Sequence, residues 1–354
     1  MSKVAVLRTK PDTVLDDYGR LMHLADYERF LPKERETILK LNLSWSLYFP
    51  SCSTEPWQLE GVLRTMAGDG YKRIIPVENK TVVTKPWVGA RLNKWLPILE
   101  KYKLKFTPLP DVKWIPYKPK VDVPAMDEIF PDGFMIPEMF IGKNVMHLPT
   151  QKVHGHSVIT GAMKNAFGGL LTTRRHHSHR LMHGILVDLL KIQKEIHPGI
   201  FAVVDGTVCG DGAGPRAMIP KVKNYILASD DQVAVDAISA KMMGFDPMKI
   251  GFIRLAHEEG LGVGDPDQIE VVGDDISGVN YHFKTEKSLV IRGDQLFRSG
   301  TLSFMEPVVF HTPIFKLCIL ASAVFHDYIW YPTVGKKRIN EFMRTDWGRL
   351  FQQY

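Results

Sequence analysis

Apolar residues along this chain follow two rhythms, short continuous or alternating runs and longer stretches that repeat every three or four positions. Val4 to Leu7 reads as a first strand, and a helical pattern follows through about Phe30. Thr37 to Leu43 alternates apolar and polar positions late, as a strand that ends in a polar loop. Pro56 to Gly68 predicts a helix with Pro56 in its first turn, where a fixed φ fits. Lys72 to Val77 predicts the next strand. Strand, helix and strand in that order make a crossover unit, which implies a parallel sheet.

Seven prolines between 105 and 137 read as an extended connector. A short strand around Val145 to Leu148 follows, then a helix over Ser157 to Ala166 and another over Arg180 to Ile196. The latter puts Leu181, Ile185, Leu189 and Ile192 on one face and stops at His197-Pro198-Gly199. Strand Ile200 to Val204 leads into a glycine-rich loop, and Tyr225 to Ala228 is the next strand. Asp230 or Asp231 can cap the helix that carries Val233, Ala237 and Ile238 and ends at Gly244. Asp246-Pro247 opens a further helix closing at Gly260, and Ile269 to Val272 is the last strand. The pattern predicts an α/β fold of two lobes, each with a parallel or mostly parallel sheet flanked by helices. Residues 1–137 form the first lobe with its connector, residues 138–280 the second, and residues 281–354 a less regular extension, helical and amphipathic.

Composition adds little to this picture and removes some classes. With 45% hydrophobic and 24% charged residues the chain is that of an ordinary globular protein rather than a disordered one. The net charge of +6 suits an anionic small molecule, a nucleic acid or an acidic membrane about equally. Three scattered cysteines, Cys52, Cys209 and Cys318, write no disulfide framework or zinc ribbon and favour a reducing compartment, hence a cytoplasmic location. The most apolar stretch, Pro313 to Phe325, has 13 residues and contains Lys316. A spanning helix needs roughly 20 apolar residues. That stretch is therefore a buried helix or a surface-lying one with Trp330 and Tyr331 at its edge, giving peripheral membrane contact through 302–331.

Chemistry concentrates between His147 and Asp236. Seven of the thirteen histidines fall between positions 147 and 183. His154 and His156, two apart in extended chain, share a face and are candidate ligands for a divalent metal, with a solvated or capping role as the alternative. His179 is a candidate proton carrier. Lys164 stands among apolar and small neighbours, so its ammonium calls for a partner anion or a depressed pKa, met by an anionic substrate, a carboxylate from another strand or Schiff-base chemistry, which makes it a candidate catalytic residue; the alternative is an amphipathic helix with Lys164 in water. Asn165, Gly168 and Gly169 follow at once and suit close backbone approach. Asp205 ends a strand, where ligands of parallel sheets bind, and is a candidate acid or base. Gly212 and Gly214 lie in a loop able to present N–H groups to an anion, or in a plain turn. Lys40, Asn42, Lys152 and Arg175 complete the candidate anion-binding set. The loop lacks both GxGxxG and GK[ST].

Several of these residues sit in a recognisable order: Lys40, Asn42, Ser53 to Pro56, Gly161 to Gly169, Arg175 to His179, Asp205-Gly206, Gly212 to Pro215, and Leu227 to Pro247. In this the chain resembles the family catalogued as domain of unknown function 362, over roughly residues 35 to 275. The order lysine, glycines, histidine is also loosely similar to the nickel-dependent lactate racemases. The first resemblance implies a fold more than a reaction. Many members carry ferredoxin-like cysteine runs, which implies electron transfer as one reading, but three cysteines supply no four-cysteine cluster, so no iron–sulfur centre is expected here. The leading expectation is an enzyme acting on a small carboxylate or phosphate in a cleft between lobes, by histidine–lysine acid–base or metal-assisted chemistry. Its partners would be that small anion and further copies of the chain. A nucleic-acid or membrane-surface protein using the Arg174 to Arg180 run is the reading from a different class, with nucleic acid the weaker partner because such runs are usually solvated loops.

Overall fold

The computed structural model describes residues 2–354 apart from 82, 287–288, 299, 311 and 313, and leaves undescribed the side chains of 173–176, 289–291, 294, 298, 303, 306 and 307. Its strands are β1 (Ser2–Arg8), β2 (Thr37–Lys40), β3 (Ile74–Glu78), β4 (Thr107–Pro108), β5 (Trp114–Tyr117), β6 (Phe134–Pro137), β7 (Asn144–His147), β8 (Thr150–His154), β9 (Val158–Thr160), β10 (Ile200–Ala213), β11 (Ala217–Ser229) and β12 (Ile269–Gly273). One ten-stranded sheet runs β12-β1-β11-β10-β7-β2-β3-β4, with β8 beside β10 and β9 beside β8. Its path is parallel except at β11, which is antiparallel to both β1 and β10. The mostly parallel α/β architecture is as expected. The separate sheets expected for two lobes are not: β7 from the second unit pairs with β2 from the first, and Thr37↔Asn144 through Lys40↔His147 bond them into one sheet.

Both faces of this sheet are covered, as parallel strands require. Val4, Val6, Ile38, Val145, Ala202 and Val204 point to a core under the helices Ala162–Leu170, Met182–Ile196, Gln232–Met243 and Gly251–Glu258. Ala5, Leu7, Leu39, Met146, Phe201 and Val203 point the other way, to Val14–Leu24, Pro56–Gly68 and the C-terminal Asp346–Gln353. The Pro56–Gly68 helix falls where the sequence puts it, and Asp231 is the cap of Gln232–Met243, accepting from Val233 and Ala234 N–H.

Three further expectations need correction. The proline-rich stretch is not an extended connector: it forms β5 and β6, an antiparallel pair, and a short helix, Pro124–Ile129, whose Met126 enters the main core together with Val123 just before it, because prolines at edges and first turns leave the neighbouring apolar residues free to pack. Ser157 to Ala166 is not one helix: Val158, Ile159 and Thr160 pair back on β8, and the helix starts at Ala162. The glycine-rich segment is not a loop either. β10 continues through Cys209, Gly210 and Asp211 and turns only at Gly214-Pro215, making a long hairpin with β11.

The C-terminal extension is helical. Ile314–Ala323 continues through a π-wound stretch, Val324–Gly335, into Lys336–Phe342, giving 29 helical residues. It is the one helix among the described residues long and apolar enough to cross a membrane. The apolar stretch read from the sequence ends at Phe325, before His326 and Asp327, whereas the helix continues past it, with Pro332 inside the wider π-wound stretch.

The helix carrying Lys164 begins on a buried carboxylate. Asp236 accepts from Ala162 N–H at 2.6 Å and Met163 N–H at 3.0 Å. Gly161 makes room for it, since a Cβ there would fall 2.0 Å from Asp236 Oδ1. Asp236→Ala leaves two N–H groups without their acceptor and is expected to lower the unfolding free energy by about 1–3 kcal/mol, read from urea denaturation. An unchanged midpoint would show that the carboxylate does not hold this helix.

Candidate functional site

Adjacent parallel strands β2 and β3 end in Lys40 and Glu78. Lys40 Nζ donates to both Glu78 carboxylate oxygens at 2.9 Å and to Leu41 O at 2.5 Å, and both residues are buried. The Ala162–Leu170 helix crosses these strand ends. Cβ atoms built on Gly168 and Gly169 would lie 3.3 Å from Lys40 Nζ and 3.4 Å from Lys40 Cε respectively. Asn165 Nδ2 donates to Lys40 O at 2.9 Å. Asn42 Nδ2 reaches Asn165 Oδ1 at 3.4 Å, and Asn42 Oδ1 accepts from Lys152 Nζ at 2.7 Å. Four of the predicted anion-binding residues, Lys40, Asn42, Lys152 and Asn165, thus form one hydrogen-bonded group.

Lys152 is fully buried, and its partners, Asn42 Oδ1 and Thr150 Oγ1 (2.5 Å), are both neutral. Burial lowers its pKa to about 8, with Cys52, Glu55, Asp205 and Glu78 pulling the other way. A buried ammonium without a carboxylate in contact is costly unless an anion joins it.

His154 stands two residues along β8, on the same face as Lys152. The β8–β9 hairpin then feeds the helix that carries Lys164. Burial first, then Lys164, His156, His179 and Lys152, holds His154 well below the usual histidine range. His154 Nδ1 accepts from His156 N–H at 3.1 Å and Ser157 N–H at 3.4 Å, so the neutral ring carries its proton on Nε2. The His156 and His179 rings lie 4.7 Å apart, His154 and His156 5.9 Å, and Lys164 Nζ stands 5.3 Å from the Phe167 ring centre. Lys164, His154, His156 and His179 therefore come together beside Lys152.

The expected metal pair does not take shape. With Nδ1 of His154 engaged by two backbone donors and Nε2 protonated, the ring has no lone pair to offer a cation. Among the described residues no group of three histidine, cysteine, aspartate or glutamate side chains is placed to hold a metal. Elsewhere in the expected cluster, His147 pairs with Gln193, and His183 accepts from Phe252 N–H.

Asp205 does not join these groups by any hydrogen bond or ion pair. Its oxygens accept from Tyr18 OH (2.6 Å), Trp57 Nε1 (2.9 Å), Thr207 N–H (3.0 Å) and Thr207 Oγ1 (2.7 Å). Burial raises its pKa against those donors. Saturated in this way, it ties two helix-side residues to the sheet and is poorly placed for proton transfer. Gly212 N–H donates to Lys284 O and Gly214 N–H to Gly212 O, so neither is available to cradle an anion. Gly214 is needed instead for a close pass, since a Cβ would meet Val153 O at 1.8 Å. The side chain of Arg175 lies outside the described residues.

Sequence reasoning missed Glu78, although the acid ends the strand beside Lys40, and it left Asp236 without a definite role. It also missed the chemistry of Ser51 to Glu55. Glu55 is buried at the start of the Pro56–Gly68 helix, with Oε1 accepting from Ser51 N–H at 2.8 Å and Oε2 without a hydrogen-bond partner. Burial, with Asp205 adding to it, holds this carboxyl well above the usual carboxylate range.

Fold and site together define an α/β protein with a buried lysine–asparagine group at the carboxyl ends of parallel strands and a histidine–lysine group beside it. The chain belongs to the family described as Domain of unknown function (DUF362), whose model matches residues 37–241, more than half of its length. That span includes Lys40, Asn42, Glu78, Lys152, His154, Lys164 and Asp236. A crystal structure of a Thermotoga maritima protein from a structural-genomics programme is similar at 10% identity and a TM-score of 0.38, over 60% of this chain and 55% of that one. The likeness thus spans about half of that protein. No curated protein matches the chain.

The Lys40–Glu78 pair can be tested by a double-mutant cycle. Lys40→Met or Glu78→Leu alone strands one buried charge and should cost about 3–5 kcal/mol, whereas the double variant should recover much of that loss. Additive losses in urea unfolding would show that the two groups do not interact.

Proposed function

We propose that this protein is an enzyme that binds a small carboxylate or phosphate against Lys152 and Lys164 and moves a proton on it through the neighbouring histidines. The observation that carries the reading is the buried Lys152 ammonium, held by Asn42 and Thr150 with no carboxylate in contact among the described residues. An anion would supply the missing charge. His154, neutral and protonated on Nε2, is suited to donate a hydrogen bond to that anion, while His179, with its ring tilted against His156, is suited to carry a proton. Asn165 and the Lys40–Glu78 pair would act by positioning the helix that presents Lys164. Acid–base chemistry is preferred to metal assistance because the imidazole hydrogen bonds fit a donor rather than a ligand.

Isothermal titration and thermal shift with inorganic phosphate and a panel of small mono- and dicarboxylates test this. At least one should bind the wild type at pH 7 and weaken as pH rises through about 8, where Lys152 loses its proton. Lys152→Met should weaken binding about 10–100-fold and abolish that pH dependence, as loss of a charged hydrogen-bond donor implies. Equal affinity in the variant, or no stabilising anion for the wild type, would overturn the reading.

A further inference from the structure

One large surface has no part in this site. Along the helix from Ile314 to Phe342, Ile314, Leu317, Leu320, Val324 and Tyr328 follow at steps of three and four, which places them in one row. Leu317 is 65% exposed, Leu320 59% and Tyr328 77%. Phe304, in the segment before the helix, is 76% exposed as well. Isolated exposed apolar residues need no explanation, but a continuous row of them marks a contact surface.

We propose that this row lays the protein on an anionic lipid surface, with the helix in the plane of the interface. Three observations select that occupant and that orientation. First, the far half of the helix is fastened to the globular body. Asp327 accepts from Trp45 Nε1 at 2.7 Å, Tyr331 OH donates to Tyr48 O at 3.1 Å, and Arg338 Nη1 donates to Met218 O at 2.6 Å. A helix held along its flank in this way lies on a bilayer and does not cross it.

Second, the only charged residue between Leu317 and Gly335 is Asp327, and it is taken up by Trp45. The side offered to the outside is therefore apolar, with Tyr328 providing a ring suited to the headgroup level. Third, the cations stand towards the ends of the row: Lys316 in its first turn, between Ile314 and Leu317, and Lys336 and Lys337 after it, all exposed. An apolar strip bracketed by lysines complements an anionic headgroup layer. The same arrangement disfavours a second copy of the chain. Antiparallel pairing would set Lys316 against the other copy's Lys336 and Lys337, and parallel pairing would set each lysine against itself.

The test is co-sedimentation of the full chain with vesicles of phosphatidylcholine alone and of phosphatidylcholine with phosphatidylserine, alongside sedimentation velocity without lipid. The wild type should bind the phosphatidylserine vesicles at least ten-fold more strongly than the neutral ones, and added salt should weaken that binding. Leu317→Glu with Leu320→Glu, both at exposed positions, should reduce binding at least ten-fold with unchanged circular dichroism. Lys336→Glu with Lys337→Glu should remove the preference for phosphatidylserine. Failure to bind vesicles, equal binding to neutral vesicles, binding that survives the leucine substitutions, or a lipid-free dimer dissolved by those substitutions each overturns the proposal. None of these outcomes bears on anion binding at Lys152.

Discussion

The buried ion pair between Lys40 and Glu78 is the constraint around which the rest of the site is arranged. Two parallel strands end side by side, and each carries one charge inward, out of reach of water. Desolvating both groups is costly, and their mutual attraction offsets that only when the geometry is good and the remaining donors are occupied. Here Lys40 divides its ammonium between two carboxylate oxygens and a backbone carbonyl. The pair also demands small neighbours. Gly168 and Gly169 allow the Ala162–Leu170 helix to lie directly on the lysine. The helix is then tied at two points, by Asp236 at its first turn and by Asn165 to the backbone of β2. Lys164 owes its position beside His154 to those two ties.

This chain of dependence explains what could be read from the sequence. Periodicity gave the α/β class, the parallel pairing and the Pro56–Gly68 helix, because each follows from spacing along one segment. The gathering of Lys40, Asn42, Lys152, Asn165, Lys164, His154, His156 and His179 was legible because the residue types are unusual among apolar neighbours, whereas His147 and His183 pair elsewhere. Pairing between distant segments was not legible. Nothing local in Val158-Ile159-Thr160 distinguishes a strand returning on β8 from the first turn of a helix. Glycines at 210, 212 and 214 suggested a ligand loop, whereas they are forced by backbone and side chains crossing close by: Met218 at Gly210, a positive φ at Gly212, and Val153 O at Gly214. Asp205 read as an active-site acid because it follows a strand, yet three residues from outside and within that strand consume its acceptors. A carboxylate's role is set by what already donates to it, and that is a tertiary property.

The two proposed surfaces share one stretch of chain. Asn42 belongs to the lysine group; Trp45, Phe49 and Cys52, only a few residues on, form a small core with Met218 against which Trp330, Tyr331 and Ile339 pack. Ser51 and Glu55 follow at once and bring the chain into the helix whose Trp57 holds Asp205. Residues 42 to 55 therefore run from the buried lysine to the underside of the exposed helix. The packing is specific: Trp45 meets Tyr331 edge-on at 5.1 Å, and its indole N–H is bound to Asp327. Close-packed aromatic contacts of this kind transmit displacement rather than absorb it. Asn42, at one end of that segment, is one of the two acceptors that hold the Lys152 ammonium. The exposed helix and the buried lysine group are thus neighbours through residues 42 to 55, with the aromatic cluster packed between them.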